Sequence, residues 1–265
     1  MFYELNWKKM INARDLGGLE TVDGKKIKKG KLIRCGRLSD LPENTVKKLD
    51  GLGEKTVIDL RTTAGLNDHP DTELKNSKRV WLPTITTVSD RMNDEKTMRL
   101  TMKRESERLK KEFDTVDDYM IETYRSIMFK EEPQESLKKF LNEVIEDDGC
   151  VIWHCNSGKD RTGICAMLVE TLLGVKEEDI YRDYMHSNWC LRKKNRMLKF
   201  LLYIAPMGYK FKKFLLGFLK VKKEYLKSVI DEANERFGSV TEYCKQALGI
   251  NEEQIAKLKK KYLTV

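Results

Sequence analysis

Val151-Ile152-Trp153-His154-Cys155-Asn156-Ser157-Gly158-Lys159-Asp160-Arg161-Thr162-Gly163 is the stretch around which the chain is organised. It begins as a short apolar run, the pattern of a buried strand. From Thr162 to Leu173 apolar residues recur at helical spacing. Between the two lies a loop with Cys155 at its start, Gly158 in its middle and Arg161 six residues after the cysteine. A strand, a tight loop and a helix N-terminus in that order make an anion site. Backbone N–H groups point into such a loop, and the helix dipole adds partial positive charge.

A free thiol has a reference pKa of about 8.5 and is mostly protonated near neutral pH. A cysteine under a helix N-terminus and beside Arg or Lys shifts toward thiolate, and Cys155 has that setting. A thiolate in a phosphate-shaped cradle is a nucleophile aimed at phosphorus. Arg161 offers a planar two-pronged donor to two phosphate oxygens, which Lys could not match. Asn156, Ser157, Gly158 and Lys159 are the other phosphate-binding candidates. Thr162 places a hydroxyl where it could donate to the thiolate as leaving group. Gly158 and Gly163 suit a backbone that turns sharply and approaches a ligand closely. The plainer reading of a lone cysteine is a small buried hydrophobe, and that reading suits Cys150, Cys165 and Cys244. His154 reads as a strand-end residue bracing the loop. No second ligand lies at metal spacing from it, so no metal site is expected.

His-Cys-x5-Arg-Thr resembles the signature of the cysteine-dependent protein-tyrosine phosphatases. The form from His154 to Gly163 is similar to their atypical bacterial branch, which has tyrosine and phosphoinositide phosphatase members. Asn12-Ala13-Arg14-Asp15-Leu16-Gly17-Gly18 resembles that branch's N-terminal motif, and Val57-Ile58-Asp59-Leu60-Arg61-Thr62 its D-L-R strand end. Asp183-Tyr184-x-x-Ser187-Asn188, Glu224-Tyr225-Leu226, Gly238-Ser239-Val240 and Leu248-Gly249-Ile250 are also similar. The resemblance runs from about residue 12 to the end. It implies a phosphocysteine intermediate, no cofactor, and a general acid taken from an upstream loop. Asp90 is then a candidate acid. Related sequences carry an Asp nearer the strand end, where this chain has Thr84 and Thr86.

The chain has 265 residues, 35% of them charged and 40% apolar, with a formal net charge of +9. That balance describes a globular protein with a sizeable core and suits acidic partners: phosphorylated substrates or anionic lipid. Nucleic acid is not expected as a partner. Six cysteines without a Cys-x-x-Cys pair do not make a disulfide framework, which points to a reducing compartment. The start lacks an apolar core of signal-peptide length, and no window has the ~18 apolar residues of a membrane span. A cytoplasmic location is expected.

Along the chain, Arg14 and Asp15 read as an ion pair fixing a Gly-flanked turn. Residues 19–38 read as a hairpin, with Asp23-Gly24 at the turn and Lys31 to Cys35 as the returning strand. Arg37 follows near the substrate. Pro42 to Leu52 is a helix opened by Ser39 or Asp40. Thr56 to Leu60 is a strand with Asp59 at its C-terminal end, where open α/β sheets bind ligands. Asp59 reads as a general acid or, in preference, as a brace for Arg61. Arg79 to Pro83 is a further short strand, and residues 93–113 a charged helical segment that either covers the site or is a solvated helix with one apolar edge. Val116 to Met128 and Pro133 to Ile145 are amphipathic helices, and Lys176 to His186 another. Residues 189–220 are basic, aromatic and amphipathic. They either pack on the core or lie on an anionic membrane. Three helices follow Val221, with breaks at Gly238 and Gly249.

The expected fold is α/β: a short, mostly parallel sheet flanked by helices, with a helical C-terminal extension. One phosphatase domain is expected over residues 1–265, with its core at about 12–190. The expected activity is hydrolysis of phosphotyrosine-type monoesters, with Cys155 as nucleophile and Arg161 on the phosphate. Asp160, Asp59 and Asp90 compete as the acid. Two alternatives stand beside it: a phosphoinositide phosphatase at a membrane, and a phosphate-dependent binding module with little turnover.

Overall fold

The strand read from Val151 onward is β6 (Cys150–His154), and all of its residues are buried. The computed structural model describes residues 3–84, 115–206 and 208–264. Among these, β6 sits inside a six-stranded sheet. The other strands are β1 (Tyr3–Glu4), β2 (Arg14–Asp15), β3 (Leu32–Cys35), β4 (Lys55–Asp59) and β5 (Ser77–Trp81). Their order across the sheet is β1-β2-β3-β6-β4-β5. β3, β6, β4 and β5 run parallel, and β1 and β2 extend the edge antiparallel. β3, β6 and β4 are short runs buried throughout, as the inner strands of a parallel sheet require, while β5 at the edge is polar and partly exposed.

Alternation along β6 divides the core. Val151 and Trp153 belong to one apolar cluster, and Cys150 and Ile152 to the other. The pleat sends successive side chains to opposite faces. On the Ile152 face, Ile33, Val57 and Leu38 pack with Leu49 of α1 (Glu43–Asp50). The Trp153 face meets α3 (Val116–Phe129), α4 (Glu131–Glu146) and α5 (Arg161–Leu173). Every residue of α5 except Thr171 is buried, as expected for a helix apolar on all sides. Gly174 ends it in the left-handed conformation, at φ +83°.

A short helix α2 (Thr63–Asp68) follows β4. After α5 come α6 (Glu177–Cys190), α7 (Arg192–Ile204), α8 (Tyr209–Gly217), α9 (Lys223–Phe237), α10 (Val240–Gln246) and α11 (Glu252–Tyr262). Tyr225, Val229, Tyr243, Leu258 and Tyr262 of the last three helices share one cluster with Trp153 and Ile164. The C-terminal helices therefore complete the core of the sheet's Trp153 face. Among the described residues no helix is long and apolar enough to cross a membrane.

Three local expectations change. The hairpin at Asp23-Gly24 is limited to one bridge, Glu20 with Lys26. Its supposed returning strand instead pairs Arg34 with Arg14 and Ile33 with Ile152. A mostly apolar four-residue strand gains more from the central position than from a polar ribbon. Helix α1 starts one residue beyond Pro42, and no side chain caps it, neither Ser39 nor Asp40. Proline suits a helix start because it has no N–H to leave unpaired. Arg14 does not pair with Asp15. Its Nε donates to Asp183 Oδ1 at 2.7 Å, while Asp15 accepts from the Gly17 and Gly30 amides.

The register places Cys35 and Asp59 level with His154 at the C-terminal edge of the sheet. That edge carries the site.

Candidate active site

Cys155 leaves β6 and Arg161 opens α5, so the loop between them spans from a strand end to a helix N-terminus. Gly158 makes the turn at φ +66°. A Cβ there would lie 2.4 Å from the Cys35 carbonyl carbon, so only glycine fits.

The carbonyls of the loop are held from outside. Asn156 O accepts from the Arg37 amide at 3.2 Å. Ser157 O and Gly158 O accept from Asn12 Nδ2 at 3.0 and 2.7 Å. Gly158 O also accepts from Arg34 Nη2 at 3.1 Å. In a trans peptide the N–H points opposite to the preceding C=O. Outward carbonyls at 156, 157 and 158 therefore turn the amides of Ser157, Gly158 and Lys159 inward, and a nest for a tetrahedral anion results.

Behind these struts lies a buried charge network. Asp183 of α6 accepts from Arg14 and from Arg34 Nη1, and all three side chains are fully buried. Arg14 Nη2 also donates to Ser187 Oγ at 3.2 Å. The paired arginines hold Asp183 below the usual carboxylate range despite its burial. Gly163 brings α5 against this layer, since a Cβ there would press on the Tyr184 ring at 3.0 Å.

Cys155 is only 3% exposed. Burial works against its ionisation, but Arg161 and the hydroxyl and amide of Thr162 outweigh burial and lower its pKa. No oxygen or nitrogen partner takes the buried Thr162 hydroxyl, which leaves it for the sulfur. The other five cysteines are all shifted upward. Burial pushes Cys150 and Cys244 to about 12, and it raises Cys35, Cys165 and Cys190 as well. Cys155 alone is biased toward thiolate at this edge. Arg161 is 5% exposed, and its Nη1 donates to Leu60 O at 3.2 Å.

Asp160 sits inside the loop immediately before α5. Its Oδ1 accepts from Tyr124 Oη at 2.7 Å, and its Oδ2 is 2.8 Å from Lys159 Nζ. Tyr124 Oη is itself 2.7 Å from Tyr184 Oη. Asp59 has a different setting. Its carboxylate accepts from the Arg61 amide, Nε and Nη2, and Arg61 Nη2 also reaches Asp71 at 2.9 Å. Asp71 Oδ2 lies 2.8 Å from His154 Nε2, and Asp59 Oδ1 lies 3.9 Å from His154 Nδ1. Burial opposes charge on His154, yet the two carboxylates outweigh burial and raise its pKa. Asp90 lies outside the described residues.

Among the described residues two groups bring metal-ligating atoms within 4.8 Å: Asp59–Asp71–His154 and Glu4–His186–Cys190. Arg61 already bridges the carboxylates of the first. In the second, Glu4 pairs with His186 at 2.6 Å, and the Arg14 guanidinium lies 4.0 Å from the Cys190 sulfur.

Several functional positions were not singled out from sequence. Arg34, Asp71, Tyr124 and Lys194 lie far from the loop in the chain, and no motif marks them. Asn12 and Asp183 lie inside quoted motifs, but their partners are more than a hundred residues away. Lys194 of α7 stands in the field of Arg37, Lys159 and Cys155. Its burial, and then the two cations, lower its pKa.

A strand, an amide-lined loop closed by Arg, and a thiolate-prone Cys at the helix start form a cradle that can take a tetrahedral anion beside a nucleophile. A family model described as the tyrosine phosphatase family matches residues 5–264. The chain belongs to that family and is an enzyme of the phosphatase type. It is 26% identical over 261 residues to a Cupriavidus necator protein that carries a provisional tyrosine-protein phosphatase name. That match covers 98% of this chain and 89% of the relative. The triple specificity protein phosphatase PtpB of Mycobacterium tuberculosis is also 26% identical, over 94% of this chain and 95% of its own. A Nostoc commune tyrosine-protein phosphatase is 32% identical across 57% of this chain and 45% of the relative.

Proposed function

We propose that the protein hydrolyses phosphotyrosine-type monoesters through a phosphocysteine intermediate. The observation that carries this reading is a loop between Cys155 and Arg161 whose carbonyls at 156, 157 and 158 are tied outward, with Cys155 alone among six cysteines shifted toward thiolate. The Cys155 thiolate attacks phosphorus and forms the S–P bond. Arg161 and the inward amides hold the non-bridging oxygens as charge spreads over them. The P–O bond to the leaving group breaks, and the protonated carboxyl of Asp160 gives its proton to the departing oxygen. Water then attacks the phosphocysteine. Asp160 takes a proton from it, inorganic phosphate leaves, and the thiolate is restored with help from the Thr162 hydroxyl.

Asp160 is favoured over Asp59 because Arg61 binds the Asp59 carboxylate through three donors. With its oxygens occupied in that way, the Asp59 carboxylate is committed to Arg61 rather than turned to a leaving group. Asp59 instead braces Arg61 and, with Asp71, His154. Arginine and backbone donors supply the positive field at the phosphate, so turnover should survive excess chelator. Strict dependence on added metal would overturn this mechanism.

Cys155→Ser is expected to abolish phosphate release from para-nitrophenyl phosphate while inorganic phosphate still binds, as read by calorimetry. Full activity in that variant would remove the nucleophile assignment. A second reading, phosphoinositide hydrolysis at a membrane, is favoured by Lys194, which stands in the electrostatic field of Arg37, Lys159 and Cys155. Three cations suit a substrate with more than one anionic group. Matched assays with phosphotyrosine, phosphoserine and phosphoinositide substrates separate the two.

A further inference from the structure

Helix α7 is amphipathic, yet Asn195 is its only buried residue. Met197, Phe200, Leu201 and Ile204 recur at three- and four-residue steps and so share one face. All four are exposed, Phe200 at 62% and Ile204 at 60%. A soluble helix normally turns such a face inward. Here it faces water, in a contiguous apolar patch of the kind that marks an interaction surface.

Beside this face α7 and α8 enclose a cavity of about 720 Å³, walled in part by Tyr203, Tyr209, Lys199, Lys212, Lys213 and Lys220. Among the described residues every charged side chain lining it is a lysine. No Asp or Glu occurs between Asp183 and Glu224, a span that carries eleven Lys and Arg residues: Arg192, Lys193, Lys194, Arg196, Lys199, Lys210, Lys212, Lys213, Lys220, Lys222 and Lys223.

We propose that the α7–α8 hairpin docks the protein on an anionic membrane surface, with the Met197–Ile204 face entering the headgroup layer and the lysines contacting lipid phosphates. Three observations select this occupant. Aliphatic groups at Met197, Leu201 and Ile204 gain from a hydrocarbon boundary and would stay wet against nucleic acid. A second copy of the same lysine-lined surface would meet it with like charge. Basic residues flanking an apolar stripe, with aromatic Tyr203 and Tyr209 at the border, are what an interfacial helix presents. Lys194 in the first turn of the same helix is close enough to Lys159 and Cys155 to feel their charge. This deepens the membrane reading above, and its test does not depend on turnover.

The test is co-sedimentation of the full chain with vesicles of phosphatidylcholine alone and of phosphatidylcholine mixed with phosphatidylserine. Neither lipid is a phosphatase substrate. Binding is expected only to the mixed vesicles, to fall with added salt, and to persist in Cys155→Ser. The double variant Phe200→Ser/Ile204→Ser, and separately Lys213→Glu/Lys220→Glu, should each weaken it by about tenfold or more. Turnover of para-nitrophenyl phosphate in solution should stay at the wild-type level in both. Equal binding to both vesicle types, or unchanged binding in both double variants, would overturn the proposal. A dimer in light scattering that Phe200→Ser/Ile204→Ser dissolves would also overturn it, by assigning the face to a second copy.

Discussion

At the residue scale the site rests on two carboxylates with opposite surroundings. Asp160 accepts from Tyr124 on one oxygen and contacts Lys159 on the other, while Asp59 is filled by Arg61. If Asp160 protonates the leaving oxygen, its loss should matter most for poor leaving groups. Asp160→Asn is expected to slow phenyl phosphate hydrolysis by about a hundredfold or more, and a strongly acidic phenol ester far less. Tyr124→Phe, which frees the same carboxylate, should cost about tenfold with the same leaving-group bias. Equal losses for both esters would assign these groups to folding alone. His154 gives a second residue-level prediction. Its pKa is raised on folding, so its charge stabilises the fold fully below the unfolded value of about 6.5. That contribution is lost as pH rises through the folded value. Asp71→Asn removes one of the two carboxylates responsible. The stability gap between wild type and variant in urea titrations should therefore be widest near pH 6 and narrow at higher pH. A gap independent of pH would mean that His154 stays neutral.

At the scale of elements the loop is a suspended structure. β2, β3 and α6 do not touch phosphate in this account, yet Asn12, Arg34 and Asp183 hold the loop carbonyls outward directly or through one another. Breaking a buried charge network by removing one member leaves the others unpaired. Asp183→Asn is thus expected to cost about 3 kcal/mol in denaturant titrations. Gly158→Ala acts more locally, because its added methyl meets the Cys35 backbone at 2.4 Å. It should abolish phosphate binding with a smaller loss of stability. The strand and helix on either side of the loop were legible from apolar spacing, since β6 and α5 are buried on all sides and need little context. The hairpin expectation failed because a short, mostly apolar strand can pair with any neighbour. Which neighbour it takes is a property of the whole sheet.

At the scale of the molecule the last helices belong to the core. Leu258 and Tyr262 of α11 are fully buried, and the Tyr262 hydroxyl donates to Val144 O at 2.8 Å. A chain ending at residue 250 is expected to lose cooperative thermal unfolding by circular dichroism. A sharp transition in that shortened chain would show that the C-terminal helices are accessory. Residues 189–220 carry the opposite lesson. Their pattern promised an apolar face in contact with something, and periodicity alone did not say whether that was core or lipid. The structure turns the apolar face of α7 outward.

The amino-acid sequence by itself determined the order strand–loop–helix, the Cys-to-Arg spacing and the positive charge. Each is set by residues adjacent in the chain, where covalent geometry and local periodicity act. Only the tertiary structure decided which groups surround Asp160 and Asp59, which arginines hold the loop open, and which way α7 faces. Those depend on residues far apart in the chain, and burial and pairing between them exist only once the chain has packed.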